Sequence, residues 1–173
     1  GMQQQQEKLA AFIRGKKVAF IGAGVSHRAL IPEFAQMGAQ VTLCDQKHAA
    51  ADFGEYEAVL RDNRVALSLG EHCMDGFAGQ DIIMRTPGFE FYKKPLQDAI
   101  AAGTMVTSEV ELFFDFCPCE IVAVTGSDGK TTTTTIISEM LKASGKQVHL
   151  GGNIGHPLLP EIESVQADDV AVI

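Results

Sequence analysis

The stretch EIVAVTGSDGKTT, residues 120–132, decides how this chain folds. Its apolar start, Glu120 to Thr125, is expected to form a buried strand. Glycines then turn the chain, and Lys130 opens a helix running to about Ala143. Strand, glycine loop and helix in this order make the context that a phosphate-binding loop requires. The glycines let successive backbone N–H groups converge on phosphate oxygens, and the helix N-terminus adds partial positive charge. Gly126, Ser127, Asp128, Gly129, Lys130, Thr131 and Thr132 are therefore the candidate ATP-binding residues. Lys130 is the candidate catalytic residue, able to reach the β- and γ-phosphates, and Thr131 carries a hydroxyl suited to Mg2+. The match to G-x-x-x-x-G-K-[ST] is incomplete, because Val124 stands where the first glycine belongs. An ordinary glycine-rich strand–helix turn is the bland alternative, but G-K-T after a buried strand is more specific than a lone glycine pair.

Outward from this loop, strand and helix patterns alternate. Toward the N-terminus, Leu9, Phe12 and Ile13 mark one side of a first helix that stops at Gly15. Strands are expected over 17–21, 41–44, 64–68, 81–85 and 105–107, with helices over 29–37, 50–62, 95–102 and 108–114. Toward the C-terminus, strands are expected over 147–150 and 169–173. Repeated βα units imply an α/β fold with a parallel sheet, Rossmann-like in its first part. Pro118, within Phe116-Cys117-Pro118-Cys119, breaks the preceding helix and places a domain boundary there. The expected division is 1–117 as a Rossmann-like domain and 118–173 as part of a P-loop nucleotide-triphosphatase domain.

Composition narrows the function. The formal charge of −8 argues against a nucleic-acid partner, whose affinity rests on Lys and Arg neutralising phosphates. No run approaches the ~18 apolar residues of a membrane span, and no secretory signal opens the chain, so a reducing cytoplasm is expected. The four cysteines (Cys44, Cys73, Cys117 and Cys119) are expected to be free thiols, since C-x-C is not zinc-knuckle spacing. The five histidines make no ligand pattern and are expected at surface or half-buried positions.

Three further loops fall at predicted strand ends. Gly22-Ala23-Gly24-Val25-Ser26-His27 has two of the three glycines of G-x-G-x-x-G, with His27 in the third place. Asp45 lies about where a Rossmann acid meets a ribose. Thr86-Pro87-Gly88 ends another strand, and Gly151-Gly152-Asn153-Ile154-Gly155 reads either as a flexible turn or as a phosphate-facing nest. An NAD(P)-dependent oxidoreductase and a stand-alone nucleotide-sugar-binding module remain open on these residues alone, though the first leaves the Lys130 loop unexplained.

Taken together, these loops resemble the Mur ligase family. VTGSDGKTT is similar to its T-G-[ST]-[ND]-G-K-[ST] loop, which accounts for the absent first glycine. GGNIG at 151–155 is similar to the family's own G-G-N-I-G, Thr86-Pro87-Gly88 to its S-P-G-I, and Ser108 to Leu112 to the segment before its linker. The resemblance runs from Gly15 to Ile173 in matching order, and is strongest to the members that add D-glutamate to UDP-N-acetylmuramoyl-L-alanine. It implies that Gly24, Val25, Ser26, Asp45, Gln46, Lys47, Gly88 and Asn153 bind the UDP-substrate, with ATP and Mg2+ at Lys130 and Thr131. His27 stands where the family commonly has glycine, and Gln46 and Lys47 replace Thr and Arg. Other Mur ligases and folylpolyglutamate synthetases are the nearer alternatives.

The family's next Mg2+-binding Glu, its carbamylated Lys and its third domain match no residue up to Ile173. Residues 1–173 alone are therefore expected to lack ligase activity. The full-length enzyme is expected to be a monomer, whereas residues 1–173 alone are expected either to self-associate through an exposed sheet edge or to fray.

Overall fold

Short, largely apolar runs become parallel strands. The computed structural model describes residues 2–122, 130–151 and 158–172. In chain order the elements are α1 (Met2–Ile13), β1 (Lys17–Ile21), α2 (Val25–Gln36), β2 (Gln40–Asp45), α3 (Tyr56–Asp62), β3 (Ala66–Leu69), β4 (Ile82–Arg85), α4 (Lys94–Ala101), β5 (Met105–Ser108) and α5 (Glu109–Phe116). Then come β6 (Glu120–Val122), α6 (Lys130–Ala143), β7 (Val148–Leu150) and β8 (Val170–Val172). The chain divides into two compact units, residues 10–109 and residues 1–9 with 110–173.

In the first unit five parallel strands lie in the order β3-β2-β1-β4-β5. The chain adds strands outward on one side of β1, then returns to place β4 on its other side. That reversal is the topological switch point at which open α/β sheets bind ligands, beyond the carboxyl ends of the strands. Alternation of side chains puts Ala19 and Ile21 on one face, packed with Cys44, Phe77, Ile83, Leu96 and Ala99. Phe20 points to the other face, where its ring meets Phe34 edge-on at 5.3 Å. Burial of both faces is why β1 reads as a continuous apolar run rather than an alternating one.

Two expectations change for backbone reasons. The helix expected over 50–62 is a 3-10 turn (Ala50–Phe53) and then α3, separated by Gly54 at φ +59°. The strand expected from Arg64 starts at Ala66, because Arg64 itself sits at φ +55°, outside the β region. Two 3-10 helices, Cys73–Phe77 and Leu159–Ser164, had no periodic signal to announce them.

The second unit holds a parallel sheet in the order β6-β8-β7. Val122 and Val172 are register partners, as are Leu150 and Val172, so β8 lies between the two earlier strands. Val170, Ala171 and Val172 are buried, with Leu158, Leu159 and Ile162. His149 Nε2 lies 2.8 Å from Asp169 Oδ2, which also accepts the Gln166 N–H at 2.8 Å. Burial pushes the Asp169 carboxyl upward, but these hydrogen bonds outweigh it and hold the group below its ordinary range.

Candidate functional site

The site is built from three loops that leave β1, β2 and β4 at their carboxyl ends. After β1, Gly22 turns at φ +75° and its N–H donates to the Cys44 carbonyl at 2.8 Å. Gly24 then caps α2, whose first turn at Val25 and Ser26 leaves backbone N–H groups with no acceptor inside the helix. Those donors and the helix dipole favour an anion at this end.

His27 holds this turn in place. In G-x-G-x-x-G loops the third glycine allows close helix–strand packing, whereas here an imidazole fills the space. Its ring is 1% exposed and meets Phe20 edge-on at 5.0 Å. Nδ1 lies 2.9 Å from the Gly22 carbonyl oxygen; a carbonyl can only accept, so Nδ1 carries the proton. This corrects the expectation of a surface or half-buried histidine. The ring is the interior support of the loop.

Burial lowers the His27 pKa below its ordinary 6.5, outweighing the carbonyls of Gly22, Ile21 and Arg85, which favour the charged form. The unfolded chain takes up a proton on this ring below about pH 6.5, while the folded chain resists it. Its stabilising contribution is therefore present above that pH and is lost as the pH falls below it. Urea unfolding at a series of pH values from about 7.5 to 5 should show a decline that His27→Asn, which keeps an N–H near the Nδ1 position, reduces. An equal decline in both proteins would show that His27 does not carry it.

After β2, Asp45 closes an Asx turn: Oδ1 accepts the Lys47 N–H at 2.8 Å, and the Asp45 carbonyl accepts Gly70 N–H at 2.9 Å. Oδ2 faces Gly22, 4.0 Å from where a Cβ on that glycine would stand. After β4, Thr86-Pro87-Gly88 turns so that Phe89 N–H donates to the Thr86 carbonyl at 3.1 Å. These loops border a cavity of about 330 Å3. Its apolar wall includes Ile21, Cys44, Met74, Phe77 and Phe89, the two rings edge-on at 6.1 Å. Its polar rim carries Asp45, Gln46, Glu71, Thr86 and Lys93, the last 3.7 Å from Glu90.

The thiols here are wall, not nucleophile. Burial, then the neighbouring Cys73, pushes Cys44 up to about 12, and burial followed by the Asp45 charge raises Cys73. Both stay protonated and inert near neutral pH.

Of the residues expected to bind a UDP-substrate, Asp45 and Gln46 line the cavity directly. Gly24, Val25, Ser26, Lys47 and Gly88 lie on the same strand-end loops without lining it. Val25 is 56% exposed, and the Lys47 ammonium sits 5.5 Å over the Phe53 ring. Glu71, Met74, Phe77, Phe89 and Lys93 escaped the sequence reading. The first three belong to or precede a 3-10 turn with no motif, although Phe89 follows the Thr-Pro-Gly turn directly.

Gly126, Ser127, Asp128, Gly129 and Asn153 lie outside the described residues. Lys130, Thr131 and Thr132 form the first turn of α6, as expected for a helix opening behind a phosphate loop; their side chains lie outside the described part. Among the described residues no helix is long and apolar enough to cross a membrane.

Comparison with known proteins joins the two halves of the chain. Residues 124–169 match the Mur ligase middle domain. A UDP-N-acetylmuramoylalanine--D-glutamate ligase of Clostridium botulinum (strain Loch Maree) is 42% identical over 172 residues, 99% of this chain. A protein of the same name from Acetivibrio thermocellus is 46% identical over 164 residues, 93% of this chain. The chain spans 37% and 34% of the lengths of these two curated relatives. Among solved structures, a murein peptide ligase of Psychrobacter arcticus aligns over 91% of this chain and 37% of its own, at 17% identity and a TM-score of 0.49.

Proposed function

This chain belongs to the Mur ligase family, and we propose that its first unit binds the UDP end of UDP-N-acetylmuramoyl-L-alanine in the cavity bordered by β1, β2 and β4. The observation that carries this is the cavity's composition at the switch point. An apolar wall of Ile21, Met74, Phe77 and Phe89 suits a heterocyclic base, and Asp45, Gln46 and Thr86 at the rim offer hydrogen bonds that fix its orientation. The N-terminus of α2, supported by His27, suits the diphosphate, with Gly24, Val25, Ser26, Lys47 and Gly88 on the surrounding loops.

Residues 118–173 then begin the ATP-binding domain. β6 ends at Val122 and α6 starts at Lys130, so residues 123–129 must join a strand end to a helix N-terminus. The sequence across that connection, Gly126-Ser127-Asp128-Gly129 before Lys130-Thr131, is of the kind that holds a triphosphate together with Mg2+. Thr131 would hold the metal, which when bound neutralises developing charge on the phosphoryl group. Lys130 would hold the β- and γ-phosphates, and Asn153 would face the substrate.

In the full-length enzyme the reaction is ATP-dependent amide formation in peptidoglycan precursor synthesis, in the cytoplasm. The muramoyl substrate's terminal carboxylate attacks the γ-phosphate and becomes an acyl phosphate. The amine of D-glutamate then displaces phosphate. Lys130 stabilises the charge that gathers on the transferring group, the term that usually dominates such chemistry.

Calorimetric titration with UDP-N-acetylmuramoyl-L-alanine, ATP and NAD in turn tests the first half of this reading. The uridine ligand should bind saturably and NAD should not. Asp45→Ala should weaken the uridine ligand by about 1.5–3 kcal/mol, the range for hydrogen bonds to a charged group. Saturable NAD binding with no response to the uridine ligand would overturn the assignment.

A further inference from the structure

One pair of thiols lies outside both proposed sites. α5 ends at Phe116, and Cys117 N–H still donates back to the Phe113 carbonyl at 2.8 Å. Pro118 stops the helix, the chain bends at Cys119, and β6 begins at Glu120. This bend returns the two thiols to each other, with Cys117 Sγ and Cys119 Sγ 3.4 Å apart. Cys117 Sγ also donates to the Cys119 carbonyl at 3.7 Å, and Cys119 Sγ to the Glu120 carbonyl at 3.4 Å. Both residues are half-buried, within reach of a small reagent. Cys44 and Cys73, by contrast, are buried in the other unit. Among the described residues no third His, Cys, Asp or Glu completes a metal-binding group here.

We propose that Cys117 and Cys119 form a redox-modification site, a dithiol that a low-molecular-weight disulfide closes reversibly into a bond across Pro118. Closure needs the sulfurs to approach by roughly 1.4 Å, to the ~2.05 Å of a disulfide. Cys117 opens the exchange and Cys119, its sulfur 3.4 Å away, closes it. The Cys117 thiolate attacks one sulfur of the small disulfide, the S–S bond breaks, and one thiolate leaves. Cys119 sulfur then attacks Cys117 Sγ and expels the second small thiolate. The two protons shed by the protein thiols end on the two small thiols. The protein loses two protons and two electrons, and the small disulfide gains them. A ring closed across a single residue departs from relaxed disulfide geometry, which makes the bond easily reduced and suited to switching rather than to permanent stapling.

The test equilibrates the chain in buffers of reduced and oxidised glutathione, quenches with an alkylating agent and maps the peptides. The peptide carrying Cys117 and Cys119 should escape alkylation in oxidising buffer, lighter by two hydrogens, and recover on adding dithiothreitol. Phenylarsine oxide, which bridges paired thiols, should bind the reduced chain at this peptide. It should lose that binding in Cys117→Ser and in Cys119→Ser, each checked for native circular dichroism. Alkylation of both thiols in every buffer would overturn the proposal. So would a disulfide joining either one to Cys44, Cys73 or a second chain.

Discussion

Gly76→Ala should destabilise the unit spanning residues 10–109 by about 1–3 kcal/mol, the range for overpacking a filled interior. A Cβ on Gly76 would stand 2.7 Å from Ser68 Cβ, 2.8 Å from Cys44 Sγ and 2.9 Å from Ser68 Oγ. None of these can withdraw easily. Cys44 is fixed in β2, and Ser68, in β3, donates its hydroxyl to the Cys73 carbonyl at 2.8 Å. The Gly76 carbonyl is itself tied, accepting from Gln80 Nε2 at 2.9 Å. The strain must therefore push the 3-10 turn that carries Phe77 away from the sheet, and with it the wall of the cavity. For a unit of about 100 residues each kcal/mol lowers Tm by roughly 4–8 °C. Gly88→Ala is the control, since a Cβ there meets nothing within 4 Å. If the two variants melt together in a thermal scan, the packing at Gly76 is looser than the geometry says.

The second large effect concerns nucleotide binding. Lys130→Ala should weaken ATP by about 2–3 kcal/mol, roughly 30- to 150-fold, because it removes a charge-assisted contact to the phosphates. The same variant should leave affinity for UDP-N-acetylmuramoyl-L-alanine unchanged, since Lys130 and the cavity belong to different compact units. Paired titrations of the variant and the unaltered chain read both quantities. Comparable losses of both ligands would mean that one site serves them, and the division of labour between the units would fall.

The parts of this fold visible in the sequence are those set by local chemistry. Lys17 to Ile21 matches β1 residue for residue because a buried parallel strand needs only an apolar run with a glycine stop. The helix from Lys130 to Ala143 was equally plain behind its glycine loop. Asp45 is legible from its place at a strand end, where topology gathers ligand-binding loops, whereas Gln46, which also lines the cavity, is named only through the family resemblance. What stayed hidden depends on contacts between distant segments. His27 looked like a blemish in a glycine motif until Phe20 and the Gly22 carbonyl enclosed it. Gly76 is one glycine among seventeen in the sequence, and only the approach of Ser68 and Cys44 singles it out. The split of the helix at 50–62 turned on the positive φ of Gly54, which a helical hydrophobic pattern does not reveal.

The placement of β8 between β6 and β7 has a consequence for biosynthesis. A ribosome delivers β6, α6 and β7 before it delivers β8, yet among the described residues β6 and β7 are joined through β8, with which each pairs. About twenty residues separate the end of β7 from the start of β8. At ~5–20 residues per second the nascent chain spends roughly one to four seconds with both flanking strands made and the slot between them unfilled. During that interval the apolar groove is open to any extended segment nearby. Slowing elongation between codons 151 and 169 should therefore raise the dependence of this protein on chaperones that shield unpaired strands, whereas slowing it within β1 to β2, which pair directly in order of synthesis, should not.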